Sequence, residues 1–223
     1  MATVPARALK FGKTIDKTLG VLERNAGPAL IFVVVVTALC VPVSYFGIGS
    51  TSPLRLAGGE ILRSVIGMIC SYFLLVAMVR RTGLRSRTDE EAFLPFIGLS
   101  LLSSLGVLLG VIALVLPGLF IMARWMIAPP LLVASGTGIR ASLGESWDRT
   151  RGSEFLILGT AVTLLLPLIA VGIAVSVFLE AETLPRIIIA QAASSSASVV
   201  FLSLGVALYG MMYGPADSAT PAS

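Results

Sequence analysis

Three places in this chain set polar side chains in or beside strongly apolar runs, where such groups either do chemistry or hold helices together. Arg124 stands in GLFIMARWMIAPPLL, just ahead of the pair Pro129-Pro130. Gln191 opens a run with Ser194, Ser195, Ser196 and Ser198 among alanines. Trp147 lies between Glu145 and Arg149 in a polar stretch that separates two apolar runs. An arginine in lipid offers an anion or headgroup contact, pairs with an acid, or snorkels to the surface. A serine run suggests a nucleophile, a polar path, or small side chains that let helices approach. A nucleophile needs a base, and the chain has no His and no Lys beyond Lys17. That absence removes the Ser-His triad, the imidazole proton shuttle and His-ligated metal. Cys40 and Cys70 are too few for a cysteine-rich metal site and read as inert core residues inside apolar runs. The serines therefore read as packing residues. Arg124, Gln191 and Trp147 remain as candidate ligand contacts, with no cofactor or metal implied.

The elements that position these residues are membrane helices. Of 223 residues, 56% are apolar and 13% charged, and the mean hydropathy is +0.96. An average soluble domain carries about 25% charged residues. A water-soluble fold of this size lacks the polar residues to cover such a surface. Runs of about 20 apolar residues cross about 30 Å of hydrocarbon as helices, because lipid satisfies no backbone polar group. Six such runs are present: Ala29 to Phe46, Ile61 to Val79, Phe93 to Leu116, Leu119 to Ser135, Phe155 to Phe178 and Arg186 to Tyr209. The third ends at the turn signal Pro117-Gly118. The fourth is short and interrupted. Only short segments are left over, so the expectation is that no soluble catalytic domain accompanies the spans.

Lys and Arg counts give an orientation. The N-terminal segment carries Arg7, Lys10, Lys13, Lys17 and Arg24; the loop after the second span carries Arg80, Arg81, Arg85 and Arg87; the loop after the fourth carries Arg140, Arg149 and Arg151. These segments share one side if all six runs cross. The other side has Arg55 and Arg186, with Arg63 just inside a helix. Both termini are expected in the cytoplasm. About 28 mostly polar residues precede the first span, unlike a cleavable signal. On this layout Arg124 lies about six residues, or about 9 Å, below the outer edge. Its expected partners are Glu180, Glu182 or Glu60, on the same side.

Two amphipathic helices are expected outside the spans. Phe11, Ile15, Leu19 and Leu22 fall within about 80° of one another on a helix, with Lys10, Lys13, Lys17 and Arg24 on the far side. That pattern suits a helix lying in the headgroup layer, separated from the first span by Gly27-Pro28. The second runs from Ile139 to Arg151, with Ile139, Leu143 and Trp147 on one face, an i,i+4 pair of Glu145 and Arg149, and Gly152 at its end. Gly106 and Gly110 in the third span form a GxxxG consistent with internal packing or dimerisation. The expected fold is all-α: a polytopic membrane bundle of six transmembrane helices plus an N-terminal interfacial helix and a short cytoplasmic amphipathic helix. Its parts are an interfacial segment (1–28), the transmembrane domain (29–213) and a disordered cytoplasmic tail (214–223).

The segment LPGLFIMARWMIAPPLLVASGTGIRASLGESWDRTRGSEFLIL resembles a bacterial family of multi-pass proteins named for the glycerophosphodiester phosphodiesterase membrane domain. The matching positions are Pro117, Gly118, Arg124, Pro130, Gly136, Leu143, Ser146, Trp147, Thr150 and Gly152. Ser135 stands where that family usually has Glu. The resemblance implies a bacterial inner-membrane protein without catalysis of its own, because the family's phosphodiesterase chemistry belongs to a separate soluble domain. The functions expected are binding, organising or moving lipid-like or anionic molecules. A transporter or channel subunit and a scaffold for another membrane protein are the alternatives. Expected partners are membrane lipids and either a second copy or another membrane protein, with no nucleic acid.

Overall fold

The computed structural model describes residues 9–49, 51–83, 92–113, 115–180 and 183–213. Among these there are nine helices and no strand: α1 Phe11–Arg24, α2 Ala26–Phe46, α3 Pro53–Arg81, α4 Phe93–Ala113, α5 Val115–Arg124, α6 Ala128–Ser135, α7 Ile139–Arg149, α8 Glu154–Phe178 and α9 Leu184–Tyr213. Six stretches are long and apolar enough to cross a membrane, α5 and α6 together forming the fourth. The expected tail, the acidic Asp89-Glu90-Glu91 run and Glu182 lie outside the described residues.

α9 is the spine, packed along α1, α2 and α8. α2 turns Ala29, Phe32, Val36 and Cys40 inward, at spacings of three and four residues. These join Tyr72, Leu75, Met78 and Val79 of α3, Leu131 and Leu132 of α6, and Val199 and Val206 of α9 in one core. A second core joins Ala123, Met126 and Ile127 at the break in span four to Ile157 of α8 and to Leu204 and Leu208 of α9. Large apolar side chains such as Leu30, Phe46, Leu116, Phe155 and Phe178 face outward, the arrangement that lipid requires.

Span four has the lowest mean hydropathy of the six, 1.6, yet it is the most buried of them. Its arginine and two prolines are tolerable in a membrane because protein, not lipid, surrounds them. α4 and α5 form a tight antiparallel hairpin. A Cβ on Gly118 would stand 2.4 Å from Val111 Cγ2, and one on Gly110 would stand 2.8 Å from Gly118 Cα. Gly106 takes the edge of the Trp125 ring in the same way, and Gly98 takes Ile139. The GxxxG is therefore an internal contact. Pro117-Gly118 does not form the turn: both lie in the first turn of α5, where a missing N–H costs nothing.

Gly27-Pro28 is likewise not the separator. The chain bends at Asn25, and Gly27 and Pro28 lie in the first turn of α2. α1 has the expected stripes, with Phe11 and Leu19 exposed. It is not free on the surface, however. Thr14 and Thr18 are buried, and α1 packs along α9 and touches α8. On a helical wheel this threonine stripe, continued by Val21 and Asn25, lies about 90° from the apolar stripe and about 80° from the basic one. Each threonine hydroxyl donates to the carbonyl one turn earlier, Thr14 to Lys10 at 3.0 Å and Thr18 to Thr14 at 2.7 Å.

Candidate functional site

The break in span four organises the polar residues. Pro129 and Pro130 have no N–H to donate, so the carbonyls of Trp125 and Met126 lose their helical partners. The chain leaves helical geometry between Arg124 and Ala128, where Ala128 N–H turns back to the Trp125 carbonyl at 3.1 Å. The Arg124 carbonyl is thereby left without its intrahelical donor. Two hydroxyls from α7 and its C-terminal cap approach it: Ser146 Oγ donates to it at 2.6 Å, and Thr150 Oγ1 lies 3.1 Å from it while standing 2.7 Å from the Ser146 carbonyl. All three residues are buried.

The Arg124 side chain is engaged by the same helix. Nη1 donates to the Trp147 carbonyl at 2.7 Å, and Nη2 meets Glu154 Oε1 at 2.5 Å. The guanidinium carbon lies 4.9 Å from the ring centroids of both Phe120 and Trp147. Glu154 is held in turn by the backbone N–H of Gly152 at 3.0 Å, and Gly152 has φ +81°, a conformation open to glycine. Both ions sit at helix ends of the favourable sign: Arg124 in the last turn of α5, Glu154 at the start of α8. The side chains are each only 8% exposed, so this is a buried, hydrogen-bonded ion pair. Of the guanidinium nitrogens, Nε has no partner.

The expected acidic partners of Arg124 are thus corrected. Glu60 lies on Arg63 at 3.0 Å, and Glu180 is not at the arginine. The partner is Glu154, brought in because α7 folds back onto span four. The bend also changes the depth assigned to Arg124. α5 begins at Val115, so the arginine ends a half-helix instead of sitting near the start of a span.

Arg124 and Trp147 are brought together; Gln191 is not with them. Its Oε1 accepts from Arg63 Nη2 at 3.2 Å and its Nε2 donates to Ser195 Oγ at 3.3 Å. Ser196 and Ser198 donate to carbonyls of their own helix, Ala192 and Ser194. A further contact closes α7 against the end of α9. Tyr213 O–H donates to Glu145 Oε1 at 2.6 Å, and Arg149 lies 4.6 Å from the Tyr213 ring centroid and 3.8 Å from Glu145.

Beside the break lies an apolar cleft of about 520 Å³, between α4, the α5–α6 junction and α9. Its walls include Val107, Leu108, Met122, Trp125, Pro130 and Phe201, with no charged residue among those lining it. Gly205 permits the close approach of α9, since a Cβ there would stand 2.9 Å from the Met126 carbonyl oxygen. The volume lies within the range of about 300–1,000 Å³ typical of small-molecule sites. No family model, curated protein or solved structure matches the chain.

Proposed function

We propose that this is a non-catalytic membrane protein that receives the apolar chain of a lipid-like molecule in the cleft beside the span-four break. The observation that carries this reading is the cleft itself: 520 Å³ of apolar wall without a charge, where two prolines interrupt a helix. Arg124 does not serve as its anion contact, because Glu154 neutralises it and α7 covers it. We also propose kinship with the glycerophosphodiester phosphodiesterase membrane-domain family. Its support is that Arg124, Ser146, Trp147, Thr150 and Gly152, scattered in sequence, meet at one junction. A bacterial inner membrane with both termini cytoplasmic follows from that kinship and from the basic segments.

The test is photo-crosslinking in nanodiscs that contain a phosphatidylcholine with a photoactivatable acyl chain. Label is expected on peptides bearing Trp125, Met126 or Phe201. Leu108→Trp and Ser104→Trp narrow the cleft from an exposed wall and should cut that label severalfold. Equal labelling of wild type and both variants, or label spread evenly over all lipid-facing helices, would overturn the reading.

A further inference from the structure

A second cleft, of about 680 Å³, opens at the other arginine cluster, between the end of α2 and the start of α3. Its apolar wall includes Val43, Phe46, Leu56 and Leu62, and Arg55 and Arg63 stand in it two helical turns apart. Arg63 is held in place by Glu60 and by Gln191 of α9, which together use two of its five N–H donors. Arg55 is exposed and makes no ion pair among the described residues.

The depth of this cleft can be read along α3. The helix has 29 residues, more than a crossing needs. Ser64 to Val79 carry no charge, and Arg63 and Arg80 bracket them. That interval spans about 25 Å at 1.5 Å per residue, close to the hydrocarbon thickness once both side chains snorkel outward. Arg63 therefore stands at the border of the hydrocarbon, and the turns from Pro53 to Leu62 project through the headgroup layer. Leu54, Leu56, Ile61 and Leu62 are all exposed around this part of α3 and offer apolar surface beside the arginines. Guanidinium groups bind phosphate oxygens well, often two at a time. Two of them over an apolar wall, at headgroup depth, complement an anion that carries an acyl chain.

We propose that the α2–α3 cleft is a binding site for the headgroup of an anionic phospholipid, whose phosphate is held by Arg55 and Arg63 and whose glycerol and first acyl carbons rest on Val43, Phe46 and Leu62 before the chains pass below Arg63. The site is separate from the span-four cleft and does not depend on it. Glu60 leaves the pair of arginines with net positive charge and fixes the Arg63 guanidinium at the cleft.

The experiment is native mass spectrometry of protein released from nanodiscs of equal phosphatidylglycerol and phosphatidylcholine. Wild type is expected to retain phosphatidylglycerol preferentially. Arg55→Gln, which breaks no ion pair among the described residues, should lower that retention about fivefold. Gly59→Leu fills the cleft beside Val43 with the charges unchanged and should lower it as well. Millimolar inorganic phosphate should leave the retained lipid in place. Equal retention of the two lipids by wild type, or undiminished retention in both variants, would overturn the proposal. Displacement by phosphate would overturn the assignment to a lipid in favour of the free anion. Acyl-chain crosslinking at Phe201 reports on the other cleft alone, so either site can fail without the other.

Discussion

The guanidinium of Arg124 and the carboxylate of Glu154 meet at 2.5 Å, although two helices separate them in the chain. The Trp147 carbonyl of α7 accepts from Arg124 and the Gly152 N–H in the turn after α7 donates to Glu154, while Arg124 Nε is buried without a partner among the described residues. Breaking such a pair from one side strands a charge, whereas replacing both with apolar groups does not. Glu154→Gln is expected to destabilise the fold by about 3 kcal/mol, and Arg124→Met with Glu154→Leu by less than either single change. Unfolding in detergent, run as a double-mutant cycle, measures the difference.

Ser146 and Thr150 share one acceptor, the Arg124 carbonyl. Ser146→Ala or Thr150→Val should cost about 1 kcal/mol each, since the other hydroxyl still serves. The double variant should lose a further 1 kcal/mol or so, because the carbonyl is then buried without a donor. The same unfolding assay checks the excess over additivity.

Gly110 and Gly118 oppose each other across the α4–α5 hairpin, while Gly144 in α7 faces open space. Gly110→Ala or Gly118→Ala should destabilise by about 1–3 kcal/mol through overpacking. Gly144→Ala should stabilise by about 0.5–1 kcal/mol by lowering the entropy of the unfolded chain. Opposite signs in melting temperature are the expected result.

Tyr213→Phe removes the hydrogen bond to Glu145 and keeps the ring that Arg149 covers. About 1 kcal/mol of local stability should be lost. Hydrogen exchange should rise at the end of α9 and in α7, with α2 and α3 unchanged.

Reporter fusions test the proposed orientation. Cytoplasmic signals are expected at position 87, and exterior signals at positions 50 and 182. A reversed pattern would place the basic segments outside.

The six crossings were legible because an uninterrupted apolar run has one solution in lipid. Helix ends were less so, since proline and glycine signal a break in water and are also welcome in a helix's first turn, as Pro28 and Pro117 are. Arg124 and Trp147 were recognisable as special from their surroundings. The identity of the acid was not. Glu154 approaches only because the span bends at Trp125 and α7 doubles back, and span patterns carry no information on such a return. The local clue was Gly152, two residues before an acid at the mouth of a span. The threonine stripe of α1 was hidden for a related reason: hydroxyls that donate to their own helix cost little to bury, so hydrophobicity alone does not mark them.

The distance along the chain between Arg124 and Glu154, thirty residues, bears on how the protein is made. During synthesis the arginine leaves the ribosome well before its counter-ion, so the fourth hydrophobic segment reaches the translocation machinery as an unneutralised and weakly greasy sequence. Its stable seating in the bilayer is expected to depend on α7 and the head of α8. Truncation between residues 136 and 153 should therefore leave the segment with an unpaired arginine and prone to proteolysis.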